Sequence, residues 1–452
     1  MISTGGSVSA MRIDAEQSSE KLQSMSDFEI IVHSWLAREH GDEIARATFG
    51  QLELRSGDRS LTLVEDRLAR SNRNFVNLSA YDLAIWLANN WWRLRWEPER
   101  PGADWRMAHS LAAIGEGYVW PDVTLLSDGD QISIQAKRTG DKPWEPIRYL
   151  ESGECVLSGD EFEKAIDSFI DTVLARLAGC EVLRTDLHLL WQELSTERCE
   201  PALASLRRLE ALAGFDAGTA PDSLIDNLLA HADEEGRTAV EEVVAEYGGT
   251  AVEILRQLED SLNKYGIKLD SASVRDLGSY RDTWCASGLP WEQAEKAART
   301  AREIWDLNGH PVSNGRLTAL VGASPTLITG LAPVDVPMSA ARRNAYEQKA
   351  WNVVLRSRWK EGKRFDLCRL IADGLVAPDD ELLMPATHAK TSRQKFQRAF
   401  AQEFLCPSNA LLEYLGALPP EDEEIENAAE YFEVSPLLIR SKLANQGILP
   451  RF

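Results

Sequence analysis

The sequence predicts an α+β N-terminal domain, then a mostly α connector, then a mostly α C-terminal domain. Three observations predict it. Two hairpin patterns fall in the first third of the chain, at residues 49–68 (FGQLELRSGDRSLTLVEDRL) and 123–137 (VTLLSDGDQISIQAK). From 183 to 262 apolar residues recur at helical spacing against acidic faces. From 280 to 452 helical periodicity dominates again, interrupted by a Gly- and Pro-rich stretch at 322–339. The implied divisions are a flexible Ser- and Gly-rich lead (1–25), an N-terminal α+β domain (26–180), a helical connector (181–285) and a helical domain (286–452).

Each element has its local reason. In the first hairpin, Leu52/Leu54 and Leu61/Leu63 alternate around SGDRS. Residues 81–95 place Leu83, Trp86, Leu87, Trp91 and Leu94 at helical spacing, which predicts one helix. Six tryptophans lie between Trp86 and Trp120, interleaved with Arg93, Arg95, Arg100 and Arg106. Such a mixture stacks on bases in some proteins, but at helical spacing it reads as core. The second hairpin turns at Asp128-Gly129. Residues 161–179 form an amphipathic helix through Phe162, Ile166, Phe169, Val173, Leu174 and Leu177, ended by Gly179. The acidic run Glu421 to Glu424 follows Pro419-Pro420 and reads as a first helical turn, where carboxylates favour the helix dipole.

Composition narrows the function classes. The chain has 452 residues with 49 Lys and Arg against 71 Asp and Glu, a formal charge of −22. That balance argues against a general nucleic-acid coat or a membrane-surface binder, both of which need excess cations. It leaves room for one local basic groove. No run approaches the roughly 18 apolar residues of a membrane span, and residues 1–10 have no apolar core of a secretory signal. The cysteines, Cys155, Cys180, Cys199, Cys285, Cys368 and Cys406, form no CxxC clip and none adjoins a histidine. Free thiols in a reducing cytoplasm are expected.

The C-terminal third carries the most specific pattern. KRFDLCRLIADGL (363–375) is followed by KFQRAFAQEFLCP (395–407) and AAEYFEVSPLLIRSKLANQG (428–447). This order resembles the ImmA/IrrE-type metallopeptidases, in which a basic, aromatic lead enters a helix bearing HExxH. A second helix there carries a carboxylate ligand and ends in Phe-Ala-x-Glu, two apolar residues, x and Pro. Phe400, Ala401, Glu403, Phe404, Leu405 and Pro407 match that segment, and Val434 and Ser435 match the helical tail. The resemblance covers residues 290–452.

HExxH places two imidazoles one helical turn apart on one zinc, with the Glu as general base. The matching positions here are Arg369, Leu370 and Asp373. Arginine stays protonated and cannot ligate zinc, and leucine cannot act as a base. Asp373 offers one oxygen without a partner. The ligand position of the second helix falls near Gln394 or Lys395, neither a carboxylate. Of the seven histidines only His388 is near in sequence. The resemblance therefore implies a metallopeptidase-like fold without peptidase activity and without a cofactor, in which an Arg369–Asp373 ion pair at i and i+4 occupies the place of zinc. It further implies a bacterial, cytoplasmic regulatory or phage-defence-associated protein, with this domain as a protein-binding or sensing module.

A second pattern belongs to another class. Trp120-Pro121-Asp122 opens one strand of the 123–137 hairpin, and Gln135-Ala136-Lys137 closes the other. This PD…QxK form resembles the PD-(D/E)xK nucleases, particularly the Mrr-like branch with Gln in place of the acid. Asp122 and Gln135 would offer oxygen ligands to Mg²⁺. Lys137, two residues on and hence on the same face, would orient water and stabilise charge on the phosphorus. Glu116 or Glu97 would have to supply a further carboxylate. The plain alternative is that Asp122 caps a strand and Lys137 with Arg138 forms a solvated edge. A third reading is a non-enzymatic scaffold subunit, whose acidic helical middle suits a basic protein partner. Across these readings a protein partner is expected, nucleic acid only at the local N-terminal site, and no membrane.

Overall fold

Alternating apolar residues and tight turns build the first of two compact units, 1–204 and 205–452. The computed structural model describes residues 28–38, 41–140, 145–284, 288–330, 334–344 and 350–450; the expected lead over 1–25, His40 and Cys285 lie outside them.

In the first unit β1 (Phe28–Trp35) leads through α1 (Glu43–Thr48) into β2 (Phe49–Ser56), its antiparallel partner. Gly57, at φ 56°, turns the chain into β3 (Arg59–Ser60). The SGDRS hairpin therefore forms, but its second arm is short: Leu61 and Leu63 lie beyond the strand, Leu61 in the core. Then come β4 (Val64–Asp66), β5 (Ser71–Arg73) and β6 (Val76–Ser79), of which β6 pairs with β2. The helix expected over 81–95 is two, α2 (Ala80–Asn89) and α3 (Trp91–Trp96). Asn90 divides them at ψ 6°, its side-chain amide donating to the Trp86 carbonyl at 2.8 Å and competing with the helical ladder. A further helix, α4 (Ala103–His109), precedes the second hairpin.

That hairpin forms as its pattern predicts, from β7 (Asp122–Ser127) and β8 (Gln131–Lys137). Gly129 takes φ 95° at the turn, and the Asp128 carboxylate accepts the amides of Asp130 and Gln131. β9 (Ile147–Tyr149) joins β4 and β5, while β10 (Gly153–Ser158) pairs with β8. Ser158 and Glu161 form a capping box that starts α5 (Gly159–Gly179). Of its expected stripe, Phe162, Ile166, Phe169, Val173 and Leu177 are buried and Leu174 is half-buried, each buried side chain contributing about 1.5–3 kcal/mol. α6 (Asp186–Cys199) follows, and α7 (Pro201–Ala213) carries the chain across the division.

The second unit is mostly helical, as expected. It opens with α8 (Asp222–Glu235), α9 (Arg237–Tyr247) and α10 (Ala251–Tyr265). β11 (Ile267–Asp270), α11 (Ala272–Gly278), α12 (Pro290–Ile304), α13 (Asn314–Ala319) and α14 (Thr326–Thr329) come next. The last stretch holds β12 (Ser339–Arg343), β13 (Ala350–Val354), α15 (Lys360–Val376), β14 (Leu383–Ala386) and α16 (Ser392–Leu405). α17 (Ser408–Leu415), α18 (Asp422–Phe432) and α19 (Pro436–Asn445) form the tail. Glu421 caps α18 and Asp422 to Glu424 form its first turn, as the acidic run suggested.

Helical periodicity gave no sign of the four-stranded antiparallel sheet inside this unit, ordered β11-β13-β12-β14. Its strands are four or five residues long, and β14 is buried at every position, so no polar–apolar alternation marks it. β11 comes from the stretch expected to be a connector, so residues 205–285 share one unit with the last third of the chain. α10 packs on β12 and β13, and α9 on β14. α15 and α16 lie against each other, and α16 also packs on α12 through a core that includes Phe400 and Phe404.

Candidate functional site

Asp366, Arg369 and Asp373 follow one another at i, i+3 and i+7 along α15, so they share one helix face. Asp366 accepts a 2.6 Å hydrogen bond from Ser339 of β12. Arg369 donates from Nη2 to the Thr387 carbonyl and, at 2.6 Å, to Gln394 Oε1 on α16. Gln394 Oε1 also accepts the Thr387 amide at 3.0 Å, while its Nε2 donates to the Pro385 carbonyl of β14 at 3.0 Å. Arg393, next to Gln394, donates to both oxygens of Asp373 at 2.7 and 2.9 Å. Its remaining nitrogen reaches Thr238 Oγ1 at 2.7 Å and Glu381 Oε2 at 3.1 Å. α9 closes the cluster: Glu242 accepts a 2.6 Å bond from Thr391, the residue that caps α16.

The cluster is deeply buried. Asp373 and Gln394 are 0% exposed and Arg369 is 3% exposed. Burial lowers the pKa of Arg369 against the pull of Asp366 and Asp373. Burial acts on Arg393 in the same sense, yet Asp373, Glu242 and Glu381 raise it overall. The Glu242 carboxyl is pushed up to about 7 by burial, against Arg393, Thr391 and Gln394. A carboxyl in that range suits proton transfer, but this one is bonded to Thr391 and shut away from solvent.

Zinc does not fit these residues. The Arg369 guanidinium is a fixed cation with donors only and cannot ligate a metal, and its Nε is buried without an acceptor. Among the described residues, no group of three or more His, Cys, Asp and Glu is placed to hold a metal ion. His388 brings no ligand: its Nε2 accepts from Arg356 at 3.1 Å on an exposed loop.

The expected Arg369–Asp373 ion pair does not form. Asp373 is taken instead by Arg393, whose planar fork matches both carboxylate oxygens, and Arg369 turns to Thr387 and Gln394. Leu370 is buried in the apolar core. Phe400 and Ala401 are core residues too, and Pro407 precedes α17. Glu403 has a larger part than motif matching assigned. It accepts from Lys442 of α19, from the Ser408 amide at 3.1 Å and hydroxyl at 2.8 Å, and from Arg299 of α12 at 3.3 Å. Burial pushes its carboxyl up, but Lys442 and Ser408 hold it below the usual carboxylate range. Glu403 thereby fastens the helical tail to α16.

In the first unit Asp122, Gln135 and Lys137 share one face of the β7–β8 hairpin, opposite the face that buries Val123, Leu125, Ile134 and Ala136. Asp122 stands directly across from Lys137, and Gln135 across from Thr124 on one side and Glu154 of β10 on the other. Gln135 donates to Glu154 at 3.3 Å, and Ser133 also donates to it. Glu154 is thus a carboxylate on this face that motif reading missed. Glu97 is not available: it is buried against Arg93 at 2.7 Å. Glu116 lies in a loop where Gly115, Glu116 and Gly117 all have positive φ, and its charge bears on Asp82.

The Arg- and Trp-rich stretch is largely core, not an open basic surface. Trp91, Trp92, Trp105 and Trp120 are buried, as are Arg93 and Arg95. Arg95 donates to Glu163 at 2.8 Å and lies 3.9 Å from the Trp96 ring. Among the described residues, no helix is long and apolar enough to cross a membrane.

No family model, no curated protein and no solved structure matches the chain.

Proposed function

We propose that the second unit is a peptidase-like fold without peptidase chemistry, acting as a protein-binding or sensing module in a bacterial cytoplasmic protein of regulation or phage defence. One observation carries the reading. Arg369, at a zinc-ligand position of the resembled motif, and Gln394, one of the two residues nearest the ligand position of the second helix, lie 2.6 Å apart in a hydrogen bond. That contact supports the reading, because the two motif positions meet through side chains that cannot hold the cation. A module of this kind binds or senses through its surface and keeps the buried cluster as scaffold. Thermal unfolding with added zinc or with a chelator tests it. The expected midpoint is the same in both, because only a ligand bound by the native state raises it. A saturable rise with zinc contradicts the reading.

A second reading, a Mg²⁺-dependent nuclease in the first unit, is favoured by the register of the hairpin. Asp122, Gln135 and Lys137 lie on one face, with Glu154 beside Gln135. In that reading Asp122 and Gln135 would hold the cation through oxygen, and Lys137 would orient the attacking water.

A further inference from the structure

We propose that the second unit self-associates: a basic, tryptophan-bearing loop of one copy docks on an acidic, tyrosine-bearing face of a second copy. The inference rests on surface chemistry and does not depend on the fate of the buried cluster.

The loop joins β13 to α15. Trp359 is 64% exposed, and the Arg358 guanidinium lies 5.0 Å from its ring. Arg356, Arg358 and Lys360 are exposed in the same stretch of chain. Lys360 is 3.6 Å from Glu361, while among the described residues Arg356 and Arg358 make no ion pair. An exposed indole with the unpaired Arg358 guanidinium over its ring, on a chain of charge −22, is available for contact with an acidic, aromatic partner surface.

The face lies on the tail. The rings of Tyr414 on α17 and Tyr431 on α18 stack at 4.6 Å and remain 43% and 45% exposed. Glu413, Glu423, Glu426 and Glu430 are exposed on the same two helices. Among the described residues the tail's cations are already paired: Arg440 with Asp422 at 2.8 Å, and Lys442, buried, with Glu403. The face therefore presents π surface and surplus negative charge, and the loop presents π surface and surplus positive charge. The chain itself carries the complement its face requires.

The two patches belong to neighbouring parts of the unit. Arg364, one turn beyond Lys360 on α15, pairs at 3.4 Å with Glu433 in the turn between α18 and α19. A twofold contact then seats each loop on the other copy's tyrosines and closes as a dimer. Repulsion between two chains of charge −22 acts at long range and is screened at physiological ionic strength, whereas the docked pairs act at contact.

Sedimentation velocity of the full chain at physiological ionic strength tests the proposal. The mass should rise with concentration, across the micromolar range, from one 50.4 kDa chain toward two. Trp359→Ala should weaken association about tenfold or more, as loss of a central aromatic anchor does. Two charge variants complete the test, Arg358→Glu with Lys360→Glu, and Glu426→Lys with Glu430→Lys. Each should be monomeric alone, because its loop and face then carry like charge, and the two should associate when mixed. All substituted residues are exposed, and unchanged melting temperatures check the fold. A single-chain mass at every concentration overturns the proposal and leaves the acidic face to a foreign basic protein. So does undiminished association of either charge variant alone, or a mixture no heavier than its components.

Discussion

Arg393 of α16 grips Asp373 of α15 with two parallel hydrogen bonds, 2.7 and 2.9 Å long, in a site where Asp373 has no solvent exposure. A buried charge pair of this kind costs more to break than it contributes when formed, because removing one partner leaves the other charged and desolvated. Arg393→Met should therefore destabilise the second unit by about 3–5 kcal/mol. Denaturant unfolding of that unit measures it. Arg393→Met combined with Asp373→Leu should cost less than the sum of the single changes. Additive costs would mean that the two residues do not act as a pair.

Glu242 gives the same unit a pH dependence. Its folded pKa, about 7, lies above its ordinary value of 4.5, because burial outweighs Arg393, Thr391 and Gln394, and Asp373 adds to the rise. The groups facing it also include Arg369 and Arg398, whose cations it stabilises. For a raised carboxyl, the stability is complete below the unfolded value and is lost as pH rises through the folded one. From about pH 4.5 to about 7 the second unit should lose up to roughly 3 kcal/mol on this account, since each tenfold difference in proton affinity between the folded and unfolded chain is worth about 1.4 kcal/mol. Glu242→Gln, whose amide oxygen can still accept from Thr391, should flatten that slope and raise the melting temperature at pH 8. An identical pH profile in the variant would remove Glu242 as the cause.

The register of the N-terminal hairpin makes a separate forecast. If the face holding Asp122, Gln135 and Lys137 cleaves nucleic acid, plasmid nicking should require Mg²⁺ and vanish in Lys137→Ala. Lys137 is exposed, so the variant should keep its melting temperature. Mg²⁺-dependent nicking that persists in Lys137→Ala would place the activity elsewhere or in a contaminant.

Much of the first unit was legible because its signals are local. The β7–β8 hairpin shows alternation and a Gly turn within 16 residues, and α5 carries its own capping box and stripe. The second unit's sheet was not, since its four strands are short, come from distant segments and bury small residues such as Ala340 and Ala341. The cluster divides the same way. Arg369, Asp373 and Gln394 could be named from the motif positions. Their partners could not: Glu242 meets Thr391 across 149 residues, and Arg393 meets Thr238 across 155. No local pattern foretells such pairs, and the i, i+4 expectation for Arg369 and Asp373 gave way to the better bidentate geometry of Arg393. Trp91, Trp92, Trp105 and Trp120 are core as read, while Trp86 and Trp96 are half-buried, and the burial of Arg93 and Arg95 follows from their pairing with Glu97 and Glu163.

Zinc content bears most directly on the proposal that a hydrogen-bonded cluster stands where a peptidase would hold its metal. Elemental analysis of the full chain, purified without chelator and after dialysis against zinc, should give far less than one zinc per chain, the same in the wild type and in Asp373→Ala. One zinc per chain in the wild type, lost in Asp373→Ala, would contradict the proposal and return the second unit to metal chemistry.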